Sequence, residues 1–125
     1  MDKRILVIED DRILRKACET GLAKRGFAVF TASDGMEGIR QAEELLPDII
    51  LLDMRMPKLT GEETLAALKQ NEKTRAIPVV ILSNSSSEAG VQKAETLGAA
   101  GYLVKASLSL QELCDRVNEF LGNAD

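Results

Sequence analysis

Five short apolar runs alternate along the chain with longer stretches whose apolar residues recur at helical spacing, and this alternation leaves few folds open. Strands separated by helices cannot pair as hairpins, so they pair in parallel and the helices cover the sheet. The runs predict strands at about Arg4 to Ile8, Ala28 to Ala32, Asp48 to Asp53, Pro78 to Ser83 and Gly101 to Val104. The first, third and fourth are almost wholly β-branched or Leu, as strands covered on both faces must be. Five strand-helix units of this size predict an α/β fold with a flavodoxin-like, doubly wound, five-stranded parallel sheet in the order 2-1-3-4-5, carrying five helices.

The helical stretches carry their own start and stop signals. The first, about Arg12 to Arg25, places Leu14, Ala17, Cys18, Gly21 and Leu22 on one stripe and stops at Gly26. The second, about Gly35 to Leu45, shows Ile39, Ala42 and Leu46 and is halted by Pro47. Three later helices open on capping-box pairs: Thr60 with Glu63, Ser85 with Glu88, and Ser109 with Glu112. Leu65 and Leu68 form the apolar stripe of the third, and Val91, Ala94 and Leu97 that of the fourth. In the fifth the stripe is Leu110, Leu113, Cys114, Val117, Phe120 and Leu121. Neither a linker nor an internal repeat interrupts the pattern, so residues 1–125 read as one domain.

Composition excludes several functions. A formal charge of −4 argues against direct contact with nucleic acid or an anionic membrane, both of which favour a basic face. Histidine is absent, which removes the usual general base, the commonest zinc ligand and any phosphohistidine role for this chain itself. Cys18 and Cys114 fall within helical apolar patterns and read as small core residues in a reducing compartment. The apolar run after Met1-Asp2-Lys3-Arg4 is too short for a signal-peptide core, and no window approaches a membrane span. A cytoplasmic protein is expected.

The chemistry-bearing residues gather at strand ends. Ile5-Leu6-Val7-Ile8 runs into Glu9-Asp10-Asp11, and Ile49-Ile50-Leu51-Leu52 ends in Asp53. In the expected strand order the first and third strands are neighbours at the switch point, where open α/β sheets bind ligands. Converging carboxylates raise one another's pKa unless a cation compensates them, and oxygen ligands without His or a nearby Cys suit Mg²⁺ better than zinc. A carboxylate is also a nucleophile toward phosphorus. Ser83, ending the fourth strand, offers a hydroxyl, and Lys105, just after the fifth, offers a cation.

Glu9-Asp10, Asp53-Met54-Arg55-Met56-Pro57 with Gly61 behind it, Ser83, Tyr102 and Lys105, at the intervals they keep here, resemble the response regulator receiver domain of bacterial two-component signalling. The resemblance spans nearly the whole chain. It implies that Asp53 accepts a phosphoryl group from a phosphohistidine on a histidine kinase or histidine phosphotransfer protein, and that Mg²⁺ is required. It implies Asp10 and Asp53 as side-chain metal ligands, the Arg55 backbone carbonyl as another, and Glu9 acting through water. Ser83 and Lys105 would hold phosphoryl oxygens. Coupled movement of Ser83 and Tyr102 would alter the face made by the fourth helix, fifth strand and fifth helix, which would carry the output and could support a dimer. The chain would be a signalling domain assisting its own phosphorylation and dephosphorylation rather than an enzyme.

Some residues depart from the family pattern. Lys105 precedes Ala106 where the family usually has proline after a cis bond. Arg55 and Ser85 occupy positions that, in the family this chain resembles, tune loss of the phosphoryl group. Two roles are open to Arg55, reaching Glu9 or shielding Asp53 from water, and either implies slow self-dephosphorylation. Ile13, one step off the first helix's stripe, is a candidate docking residue for the kinase. A phosphorylation-independent interaction module is the main competing class. A haloacid-dehalogenase-like phosphatase would need an acid where Arg55 stands, and a flavodoxin would need a phosphate-cradling loop where Glu9-Asp10-Asp11 stands.

Overall fold

The computed structural model describes residues 3–56, 58–84 and 88–122. Strands and helices alternate: β1 (Arg4–Ile8), α1 (Arg12–Lys24), β2 (Ala28–Ala32), α2 (Gly35–Leu45), β3 (Ile49–Asp53), α3 (Gly61–Gln70), β4 (Val79–Ser83), α4 (Glu88–Thr96), β5 (Gly101–Val104) and α5 (Leu110–Phe120). All strand pairs are parallel and the order is β2-β1-β3-β4-β5, as the alternation predicted.

Strand periodicity divides the core in two. Leu6, Ile8, Ile50, Leu52, Val79 and Ile81 pack in one cluster with Leu65 and Leu68 of α3 and Ala94 of α4. The alternate residues Ile5, Val7, Ile49, Leu51, Val80 and Leu82 pack in the other with Cys18 and Leu22 of α1 and Leu113, Cys114 and Val117 of α5. Side chains two apart share a face, so each buried strand feeds both clusters. Both cysteines are buried thiols; burial pushes that of Cys18 up to about 12, which makes it a packing residue rather than a nucleophile.

Element ends follow local chemistry. Asp11 caps α1 by accepting from the N–H groups of Ile13 and Leu14, and the capping boxes at Thr60 and Ser109 are complete. The cap expected at Ser85 lies outside the described residues. α1 stops one residue earlier than expected, with Arg25 as its C-cap and Gly26 at φ +93° behind it. Asp48 and Pro78 precede their strands rather than open them: the Asp48 carboxylate accepts from the Arg4 N–H at 2.8 Å, and Pro78 has no N–H for the ladder.

Two residues of the expected apolar stripes are exposed. Leu46 is 55% exposed because it is the left-handed C-cap of α2, at φ 47°, and Pro47 behind it disfavours a further helical residue. Leu110 is the first residue of α5 and is 41% exposed, resting over Gly21 of α1. The Lys105–Ala106 bond is trans, since no described residue follows a cis peptide bond, and a 3₁₀ turn over Lys105–Ser107 leads toward α5.

The approach of α3 to the end of β3 requires Gly61. Its N–H donates to the Met54 carbonyl at 3.2 Å, and a Cβ there would lie 2.5 Å from both the Asp53 carbonyl oxygen and Met54 Cα. Gly61→Ala should therefore destabilise the protein by about 1–3 kcal/mol through overpacking, outweighing the helix-propensity gain of about 1 kcal/mol. Urea unfolding measures this; a neutral or stabilising substitution would contradict the close approach.

Candidate functional site

Sheet register brings the acidic residues together. Ile8 lies opposite Leu52, so the next residue in each chain direction puts Glu9 beside Asp53. Asp53 lies opposite Leu82, one residue before Ser83, and Ser83 lies opposite Val104, one residue before Lys105. The carboxyl ends of four strands thus carry Glu9, Asp53, Ser83 and Lys105 in neighbouring positions.

Glu9 is fully buried, Asp53 is 4% exposed and Ser83 is 7% exposed. Oxygens of Glu9, Asp10 and Asp53 lie within 4.8 Å of one another, with Asp10 at the solvent-facing rim. Lys105 Nζ stands 2.8 Å from Glu9 Oε1 and 3.1 Å from Asp53 Oδ1. It donates a hydrogen bond to the Asp53 oxygen, which also accepts the Arg55 backbone N–H at 3.2 Å. Glu9 Oε2 accepts the Asp11 N–H at 3.1 Å, but Glu9 Oε1 accepts no aligned hydrogen bond and is close to Lys105 only as an ion pair.

One ammonium among three carboxylates does not compensate them. Burial, reinforced by Asp53 against the opposing help of Lys105, pushes the Glu9 carboxyl up to about 7. Burial and the shared contact with Asp53 also raise Asp10. Burial opposes the charge on Lys105, yet its close contacts with the Glu9 and Asp53 carboxylates outweigh this and raise its pKa. An all-oxygen cluster containing a buried oxygen without a hydrogen bond suits a hard divalent cation, and Mg²⁺ fits it.

Ser83 and Tyr102 belong to the other side of the sheet. Ser83 continues the Val79 and Ile81 parity, and the half-buried Tyr102 packs against that same cluster. Both line a solvent-open groove of about 300 Å³ with Met54, Arg55, Thr60, Glu62 and Gly90. Arg55 does not reach Glu9: its side chain is exposed and forms no ion pair among the described residues, the place beside Glu9 being held by Lys105. Ile13 is 82% exposed at the start of α1. Ser85 lies outside the described residues.

Two residues that support the site were not singled out from the sequence. Asp11 ties the start of α1 to Glu9, and its Asp-x-x sequence before a helical stripe is a visible cap signal. Arg15 donates from Nη1 to the Glu9 carbonyl at 2.8 Å and the Asp10 carbonyl at 3.3 Å. No local sequence signal marks an arginine that reaches back to backbone carbonyls.

An acidic, lysine-bridged pocket over the carboxyl ends of a parallel α/β sheet suits a cation rather than the pyrophosphate of a dinucleotide. The chain belongs to the response regulator receiver domain family, whose model matches residues 5–118. Protein PilG of Pseudomonas aeruginosa is 34% identical over 102 residues, covering 82% of this chain and 76% of PilG. The transcriptional regulatory protein PrrA of Mycobacterium tuberculosis is 41% identical over 118 residues, covering 94% of this chain but 49% of PrrA. The chain thus spans about half the length of such transcriptional regulators. Among solved structures, chemotaxis protein CheY4 of Vibrio cholerae aligns with a TM-score of 0.89 at 27% identity, covering 95% of this chain and 98% of that one. The receiver domain of the sensor histidine kinase PA1611 of Pseudomonas aeruginosa, in a structure with a magnesium ion coordinated in that protein's active site cleft, aligns with a TM-score of 0.87 at 26% identity, covering 98% of this chain and 100% of that one. Among the described residues no helix is long and apolar enough to cross a membrane.

The raised Glu9 pKa makes stability depend on pH when no divalent cation is present. The folded state holds the Glu9 proton up to about 7, whereas the unfolded chain releases it near 4.5, so this stabilisation is present below 4.5 and lost as pH rises through 7. In EDTA, chemical unfolding should show Glu9→Gln losing less stability than the native chain across that window, by at most about 1.4 kcal/mol per pH unit. Parallel pH profiles would show that Glu9 titrates normally.

Proposed function

We propose that this receiver domain, residues 1–125 read as one unit, is a phosphoacceptor whose nucleophile is Asp53. A phosphohistidine on a histidine kinase or histidine phosphotransfer protein would supply the group: an Asp53 carboxylate oxygen attacks phosphorus, the P–N bond breaks with its electron pair passing to the ring nitrogen, and, the partner's ring being protonated on its other nitrogen, neutral imidazole leaves. The observation that carries this reading is the Lys105 ammonium held between Glu9 and Asp53, 3.1 Å from the Asp53 oxygen, in a cluster that burial leaves short of positive charge.

Asp10, Asp53 and the Arg55 carbonyl would hold Mg²⁺ directly and Glu9 through water; when bound, the ion lowers the charge barrier between carboxylate and incoming phosphoryl group. Lys105 can turn from the Asp53 oxygen to a phosphoryl oxygen, and the Ser83 hydroxyl can donate to another from the opposite side. Phosphorylation replaces one carboxylate charge by about two on a larger group rich in acceptors. The side of the sheet that carries Ser83 also carries Tyr102, and this supports a route from the phosphoryl group to the α4-β5-α5 face. That face would act on a downstream protein or an attached output domain, and it could also form a dimer. The domain assists its own phosphorylation and dephosphorylation, which makes it a signalling component rather than an enzyme acting on other substrates.

Incubation with a small acyl phosphate and Mg²⁺, followed by intact mass, tests the assignment. The native chain should gain one phosphoryl group, Asp53→Asn should fold and gain none, and EDTA should abolish the gain. Failure of the native chain to take up phosphate would favour the phosphorylation-independent module. Followed in time after removal of the donor, Arg55→Ala should lose phosphate faster than the native chain if the exposed guanidinium shields Asp53 from water; an unchanged rate would remove that role.

A further inference from the structure

The turn from β1 into α1 carries Glu9, Asp10 and Asp11 in succession, and neighbouring like charges favour spreading apart into water. Two devices hold the turn. Asp11 accepts from the Ile13 N–H at 2.9 Å and the Leu14 N–H at 3.2 Å, while its own N–H donates to Glu9 Oε2 at 3.1 Å. From one turn into α1, Arg15 reaches back to the Glu9 carbonyl at 2.8 Å and the Asp10 carbonyl at 3.3 Å. Arg15 is half-buried and forms no ion pair with any carboxylate among the described residues. Its guanidinium therefore grips the backbone of the two residues whose side chains form the acidic cluster with Asp53.

We infer that Arg15 is a positioning residue of the metal site: by bonding the Glu9 and Asp10 carbonyls it fixes the direction of their carboxylates and so sets the affinity for Mg²⁺. The inference rests on the reading of the cluster as a Mg²⁺ site. Groups that orient metal ligands from behind typically change affinity by about 10–100-fold when removed. A purely electrostatic role has the opposite sign. Deleting a cation beside a site that takes Mg²⁺ removes repulsion and should tighten binding, whereas loss of positioning weakens it.

Mg²⁺ titrated into the full chain, with the amide resonances of Glu9 to Asp11 as the readout, separates these roles. Arg15→Met should weaken binding about tenfold or more, and Arg15→Lys should recover part of the loss, because one nitrogen, Nη1, makes both bonds and an ammonium on a differently shaped stem can replace that donor only in part. Arg12→Met removes the same charge from an exposed neighbour and should stay within about twofold of native, below the range for an orienting group. A second readout needs no metal: in EDTA the Asp11 amide should exchange faster in Arg15→Lys, the milder variant, than in the native chain, which keeps the test alive should Arg15→Met fail to fold. Native or tighter Mg²⁺ affinity in the Arg15 variants, or an equal loss in Arg12→Met, would overturn the inference while leaving the site reading intact. Absence of Mg²⁺ binding to the native chain would overturn both.

Discussion

Burying two carboxylates beside one ammonium is the constraint on which the rest of the structure turns. Glu9 and Asp53 are nearly or fully removed from solvent, and Lys105 is close to both. An unpaired buried charge costs several kcal/mol, so the cluster must either hold a proton or gain a cation. The upward shift of Glu9 toward 7 reports the first solution, and the oxygen without a hydrogen bond at Glu9 offers a place for the second. The fold serves this balance by register: parallel pairing that matches Ile8 with Leu52 leaves no distance between the two acidic strand ends.

The same period-two geometry puts the acidic cluster and the Ser83–Tyr102 pair on opposite sides of the sheet. Glu9, Asp53 and Lys105 continue the parity of Val7, Leu51 and Leu103, which face α1 and α5. Ser83 and Tyr102 continue the parity of Ile81, which faces α3 and α4. A phosphoryl group carried by Asp53, as proposed, would therefore meet Lys105 from one side of the sheet and Ser83 from the other. The proposed response would need no long relay, because Ser83 ends β4 and lies opposite Val104, the residue before Lys105.

Much of this was legible in the chain. Apolar runs placed all five strands to within a residue, most plainly β1, β3 and β4, because doubly covered strands tolerate little but Val, Ile and Leu. The acidic residues, Ser83 and Lys105 were legible as strand ends, and topology did the rest. What escaped reading depended on side-chain reach or on backbone at helix ends. Leu46 fits the stripe of α2 by spacing, yet the left-handed cap turns it outward. Leu110 likewise fits α5, but a first-turn residue has no preceding turn to hold it inward. Lys105, not Arg55, pairs with Glu9, since both cations are long enough and only the packed structure decides which is nearer. Arg15 was invisible for the same reason, its partners being carbonyls that any residue possesses.

The central claim is that the acidic pocket is under-compensated until a divalent cation enters it. Carboxyl-carbon NMR of Glu9, titrated first in EDTA and then with saturating Mg²⁺, tests this directly. A midpoint near 7 is expected without metal, with a clear downward movement when Mg²⁺ is present. A midpoint in the ordinary carboxylate range in EDTA, unmoved by Mg²⁺, would contradict it.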